Sequence, residues 1–288
     1  MIWTLVTKVI LPIALASGYN YCNNKTHSCV QNGMEHFMCR LNKFAPFGGS
    51  TQFHAMVPDT PELREDILSI LNNFRDSFAA GELMTSENKT FSKAKRMRCL
   101  IWDNELGYMA RRHASTLSFK HSDCRSTQRF PYVGECLAMI TPKHKLKIHE
   151  ILVKMFREMF NEHQNVLDPE GLLSGFDSNR DDDCAHFAII VSDRVSRVGC
   201  GIAVGSNCRY GSSTTYCHFL TCHFDFNNLN GSYVYKAGDP SSGCGDWDTT
   251  GSTEYSNLCQ NNGQIFPPDH GSNKKIKDDA EDQDDGQE

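Results

Sequence analysis

Residues 181–201 read DDDCAHFAIIVSDRVSRVGCG. Three aspartates and a cysteine lead into Ala185 and His186, and an apolar run from Phe187 to Val191 follows. A polar break then gives way to a second apolar run, which holds Cys200. Short runs rich in β-branched and aromatic residues, bounded by polar breaks, favour strands, so 184–192 and 197–204 are predicted as strands. His186 in such a run is a catalyst, a metal ligand or a core residue with a satisfied hydrogen bond.

Two further strand-like runs lie at 133–140 (VGECLAMI) and 215–224 (TYCHFLTCHF). Helical patterns come mostly before them. TPELREDILSILNNFRDSF offers Thr60 as N-cap and Pro61 at the first helical position. Leu63, Ile67, Ile70, Leu71, Phe74 and Phe78 then share one face at the helical period. WDNELGYMARRHASTLSF is capped by Asp103 and aligns Leu106, Met109, Ala110, His113 and Leu117. KLKIHEILVKMFREMFNEH places Ile148, Ile151, Leu152, Met155 and Met159 on its apolar side. Helices ahead of strands predict an α+β fold with helices packed on an antiparallel sheet.

The chain has 288 residues, a net charge of −6 and 13 cysteines. Its charge balance argues against a nucleic-acid or anionic-membrane partner. MIWTLVTKVILPIALASGYNYC has an apolar stretch from Val9 to Leu15 and small residues at Ala14, Ala16 and Ser17. That pattern predicts a signal peptide over 1–17 and no transmembrane anchor, and hence a secreted, extracellular protein. Export places the cysteines where disulfides persist. Sequons at Asn24, Asn88 and Asn230 agree with that route as candidate glycosylation sites. The organisation expected is a cysteine-rich N-terminal segment over 18–59, a main domain over 60–235, a cysteine-containing extension over 236–266, and a disordered acidic tail over 267–288.

Six motifs in order carry a family resemblance: WDNELGYMARRHA, KHSDCR, GECLAMI, AHFAIIV, RVGCG and FLTCHFDFNNLNGSYVY. The chain resembles the CAP superfamily of secreted proteins, and its N-terminal and C-terminal cysteine patterns resemble the insect antigen-five, venom-allergen branch. The resemblance implies a three-layer α–β–α sandwich stapled by disulfides, with a cleft lined by two histidines and two glutamates. His121 in KHSDC, Glu135 in GECL and His186 in AHF match three of those positions. The fourth, on the third helix, is Met159 in FREM, with Phe156 in the place of a tryptophan. Glu158 and Glu162 flank it, one roughly a hundred degrees around the helix and the other nearly a turn further on. The implied tetrad is therefore incomplete. Leu71 in LNNFR stands where the family carries histidine, with Asn72 and Arg75 kept, and Ser192 stands where it carries tryptophan.

These departures bear on the chemistry expected. His121 and His186 would be the imidazole ligands of a loosely held divalent metal such as zinc, yet a catalytic zinc needs three protein ligands. With Met159 in a carboxylate's place only Glu135 is left, so the leading expectation is no cofactor. G-x-S-x-G and H-E-x-x-H are both absent. The sequence thus predicts a non-enzymatic protein that acts by binding an extracellular protein or lipid, in venom, saliva or male reproductive fluid. Two alternatives stand beside it. One is a lipid or sterol binder, with Met159 and Leu71 facing an apolar cavity. The other is a weak metal-dependent hydrolase using His121, Glu135 and His186.

The resemblance also implies the bridges Cys22–Cys39, Cys29–Cys124 and Cys200–Cys222. Local spacing adds Cys208–Cys217, across a Gly-Ser turn, and Cys244–Cys259. Cys99, Cys136 and Cys184 are left, and as an odd set at least one of them is a free thiol or an intermolecular link.

Overall fold

The computed structural model describes residues 19–22, 27–142, 146–210 and 213–266. The expected signal peptide, the Asn24 sequon and the acidic tail lie outside them. The helices are α1 (Ser28–Gln31), α2 (Pro61–Ala79), α3 (Asn104–Ala114), α4 (Ile148–Asn161), α5 (Pro169–Ser174) and α6 (Ala185–Ile190). The strands are β1 (Gln52–Met56), β2 (Ile101–Trp102), β3 (Gly134–Ile140), β4 (Arg197–Tyr210) and β5 (Ser213–Phe224). They form one sheet in the order β1-β4-β5-β3, with β2 pairing parallel to β4.

Local chemistry starts the long helices. Thr60 Oγ1 accepts from the Leu63 N–H, with Pro61 where a missing N–H costs nothing. Asp103 Oδ1 accepts from the N–H groups of Glu105 and Leu106, and Arg111 and Arg112 place positive groups in the last turn of α3. α3 ends at Ala114, and Leu117 takes positive φ beyond it instead of extending the helical face.

Strand register sorts the side chains onto two faces. Glu135 of β3 lies opposite His223 of β5, which lies opposite Gly199 of β4. The next row, facing the other way, is Cys136, Cys222 and Cys200. α3 covers the first face at very close range: a Cβ on Gly199 would stand 2.0 Å from the Gly107 nitrogen, and one on Gly201 2.4 Å from the Arg111 Cα. The second face joins α2, α4 and α6 in the main core, with Leu71, Met155, Phe156, Met159 and Phe187 all buried. This is the three-layer α–β–α sandwich expected.

One element differs. Residues 185–190 are helix, not strand. A short apolar run has no period of its own that separates a buried strand from a buried helix. Glu162 settles it here by accepting from the N–H groups of His186 and Phe187, which tie down the first turn of α6. Arg75, fully buried, donates to the carbonyls of Arg98, Ile190, Ser192 and Val195, locking α2 to the C-terminal end of α6 and the loop that follows. Asn72 exchanges two hydrogen bonds with the Leu100 backbone.

Sulfur atoms stand at bonding distance in the pairs Cys22–Cys39, Cys29–Cys124, Cys200–Cys222, Cys208–Cys217 and Cys244–Cys259. Cys99, Cys136 and Cys184 are all three free thiols, the last two buried. The last bridge closes the C-terminal extension, which docks through Trp247: its indole N–H donates to the Arg96 carbonyl, and the Arg98 guanidinium stacks 3.9 Å from its ring.

Candidate functional site

Glu135 is the centre of the polar network. Its side chain is completely buried, and its two oxygens accept four hydrogen bonds: from the Ser122 N–H (2.8 Å), the Ser122 hydroxyl (2.8 Å), His121 Nδ1 (2.9 Å) and His223 Nε2 (2.9 Å). A buried carboxylate without such partners would cost several kcal/mol or take up a proton. Burial alone would raise the Glu135 carboxyl, but the bonds from His121 and His223 and the charge of Arg125 outweigh it and hold the group well below the usual range.

Each donor has its own support. His223 lies opposite Glu135 in the β3–β5 ladder. His113 reaches the same pocket from α3; its Nε2–H donates to the Lys120 carbonyl, which leaves Nδ1 to accept from the Thr221 hydroxyl. Burial lowers the pKa of both rings, so each stays neutral in the folded protein. The N-terminal segment closes the network from outside. The Phe37 ring meets His113 and His223 edge-on, and Phe44 meets His113 in the same way. The sequence reading of 18–59 as a disulfide-pinned segment missed this role, and it read His113 and His223 only as members of a helical face and a strand.

His186 lies in a different unit. Its Nδ1 is 2.6 Å from Glu162 Oε1, while Glu162 Oε2 accepts from the backbone at the start of α6. Glu162, one turn past the position that Met159 holds, is therefore the carboxylate partner of His186. Met159 itself is a core residue, 3% exposed, and Leu71 is fully buried among apolar neighbours, so neither faces a cleft. Asn88 and Asn230 are both exposed.

A shared metal would need His121 and His186 to converge with a third ligand. Each imidazole has its own carboxylate at Nδ1, and all four acceptor sites of Glu135 are taken by protein donors. Among the described residues no group of three or more His, Cys, Asp or Glu side chains is gathered to hold an ion. Glu135 is therefore not free to be the third ligand of the zinc site considered from sequence. Beside His121 a cavity of about 290 Å³ opens, walled by Arg40, Lys43 and Phe44 on one side and Ser118, Lys120 and Asp123 on the other. Among the described residues no helix is long and apolar enough to cross a membrane.

Comparison with known proteins fits this geometry. A family model described as CAP, cysteine-rich secretory protein family, matches residues 68–224, more than half of the chain. Venom allergen-1 of Aedes albopictus is 28% identical over 243 residues, covering 83% of this chain and 87% of the relative. Tabinhibitin 6 of Tabanus yao is 28% identical over 271 residues, covering 91% and 95%. Among solved structures, one described as BmVAL-1 superposes with a TM-score of 0.57 at 24% identity, over 75% of this chain and 98% of that one. Another, described as NaASP2 with Zn2+, gives 0.55 at 21% identity, over 70% and 98%. At these identities the structures speak to the fold alone.

Proposed function

Because the chain belongs to the CAP family of cysteine-rich secretory proteins, we propose that it is an exported protein that works by binding a partner and not by turning over a substrate. Its venom-allergen and tabinhibitin relatives support a setting in venom or saliva, with male reproductive fluid the further setting that the sequence resemblance implies. One observation carries the non-catalytic reading: Glu135 has every acceptor site filled by His121, His223 and Ser122. A general base must have a lone pair facing the proton that it removes, and Glu135 has none to offer. His186 uses its Nδ1 to bind the Glu162 that caps α6.

The test is turnover of peptide and ester substrates by the purified protein, with and without added zinc, beside His121→Ala and His186→Ala. The expected rates match the buffer blank in every case. Turnover that either substitution abolishes would refute the proposal.

A further inference from the structure

The cavity beside His121 gathers positive charge around a concave surface in a chain of net charge −6. Its walls carry Arg40, Lys43 and Lys120 against a single carboxylate, Asp123. The charges of these four side chains sum to +3 − 1 = +2. Lys120 has no ion-pair partner among the described residues. Lys43 is joined to Glu35 only by an exposed pair, its side chain 63% accessible, and such pairs hold a lysine weakly. The Phe44 ring supplies an apolar wall.

The walls are fixed before any ligand arrives. Residues 40–45 follow Cys39, bridged to Cys22, and residues 118–123 precede Cys124, bridged to Cys29. Backbone bonds tie the two walls at both ends: Phe37 N–H to the Cys124 carbonyl and Phe47 N–H to the Leu117 carbonyl, each 2.9 Å. A preformed site loses less ordering entropy on binding. At about 290 Å³ the cavity is at the small end for ligand sites, which suits a compact molecule.

We propose that this cavity binds a small organic phosphate or sulfate monoester, its anionic head held by Lys43 and Lys120 and its apolar body against Phe44. The proposal rests on the binding reading above and gives it a ligand class.

Isothermal titration with 4-nitrophenyl phosphate, 4-nitrophenyl sulfate, inorganic phosphate and neutral 4-nitrobenzyl alcohol tests it. Both esters should bind, inorganic phosphate more weakly and the alcohol not at all. Affinity should fall at least tenfold in Lys43→Gln/Lys120→Gln and fall with added salt, with the thermal transition of the variant unchanged. No binding of either ester, or equal binding by the double variant, overturns the site. Release of 4-nitrophenolate would overturn the non-catalytic reading instead, so the two failures are distinct.

Discussion

Replacing Glu135 by Gln keeps its size and removes the charge that four donors converge on. The new amide nitrogen would face donors, so at least one bond is lost and another becomes repulsive. The expected cost is about 3 kcal/mol in urea unfolding, in the range for a broken buried pair; a loss below 1 kcal/mol would mean that the network relaxes around the amide. His36 makes a second test. It is 1% exposed, accepts from the Met38 N–H at Nδ1 and donates from Nε2 to the Ser126 carbonyl, which requires a neutral ring. Burial, with the positive influence of His27, lowers its pKa from 6.5 to about 4. The unfolded chain takes its proton first, so this stability is complete above pH 6.5 and is lost as pH falls from 6.5 to about 4. The loss is on the order of 3 kcal/mol, and His113 and His223 act in the same direction. In His36→Gln the slope of unfolding free energy against pH in that window should flatten by about one proton; an unchanged slope would place the acid sensitivity elsewhere. Of these residues, His121 and Glu135 were legible from KHSDC and GECL. His223 and His36 were not, because their role depends on strand register and on the path of the N-terminal segment, neither of which has a local signature.

Helix α3 meets the sheet through glycine on both sides, and the spacing Gly199-Cys-Gly201 was visible in the sequence without a reading attached. A side chain at 199 would strike backbone at 2.0 Å, and backbone cannot give way as a flexible side chain can. Gly199→Ala should therefore destabilise by at least about 3 kcal/mol or prevent folding. Gly245, with nothing within 4 Å of a Cβ, should accept alanine with no change in melting temperature; equal effects at the two sites would contradict the packing described. The long helices were readable because caps and period agreed over many residues. The run 184–192 was misread for the opposite reason: six helical residues carry too little period, and their N-terminal partner, Glu162, comes from a distant helix. The same distance hid Glu162 as the carboxylate partner of His186. A reading confined to the helix face saw only Met159 in the expected place.

Five disulfides and three free thiols define the molecule as a whole. Cys29–Cys124 spans 95 residues and restrains the unfolded chain most, by about 4–5 kcal/mol on chain-entropy reasoning. It also holds the N-terminal segment over the histidine network, so scaffold and site share one restraint. Burial pushes the Cys136 thiol well up and the Cys184 thiol up to about 12, which makes both poor nucleophiles in the folded state. Thiol titration of native protein should find Cys136 and Cys184 unreactive. Unfolding in guanidinium without reductant should release three thiols per chain; a count of one would mean that two of them had joined. The odd number of cysteines was plain in the sequence, but that all three remain unpaired depends on where the fold places them.

The account rests on Glu135 as a buried carboxylate already saturated by its own protein. Carbon NMR of protein labelled at glutamate carboxyls, titrated with acid and then with zinc, observes that group directly. The Glu135 resonance should stay in the ionised position well below pH 4.5 and should not move when zinc is added. A midpoint at or above 4.5, or a stoichiometric zinc shift of Glu135 together with the imidazoles of His121 and His186, would contradict it.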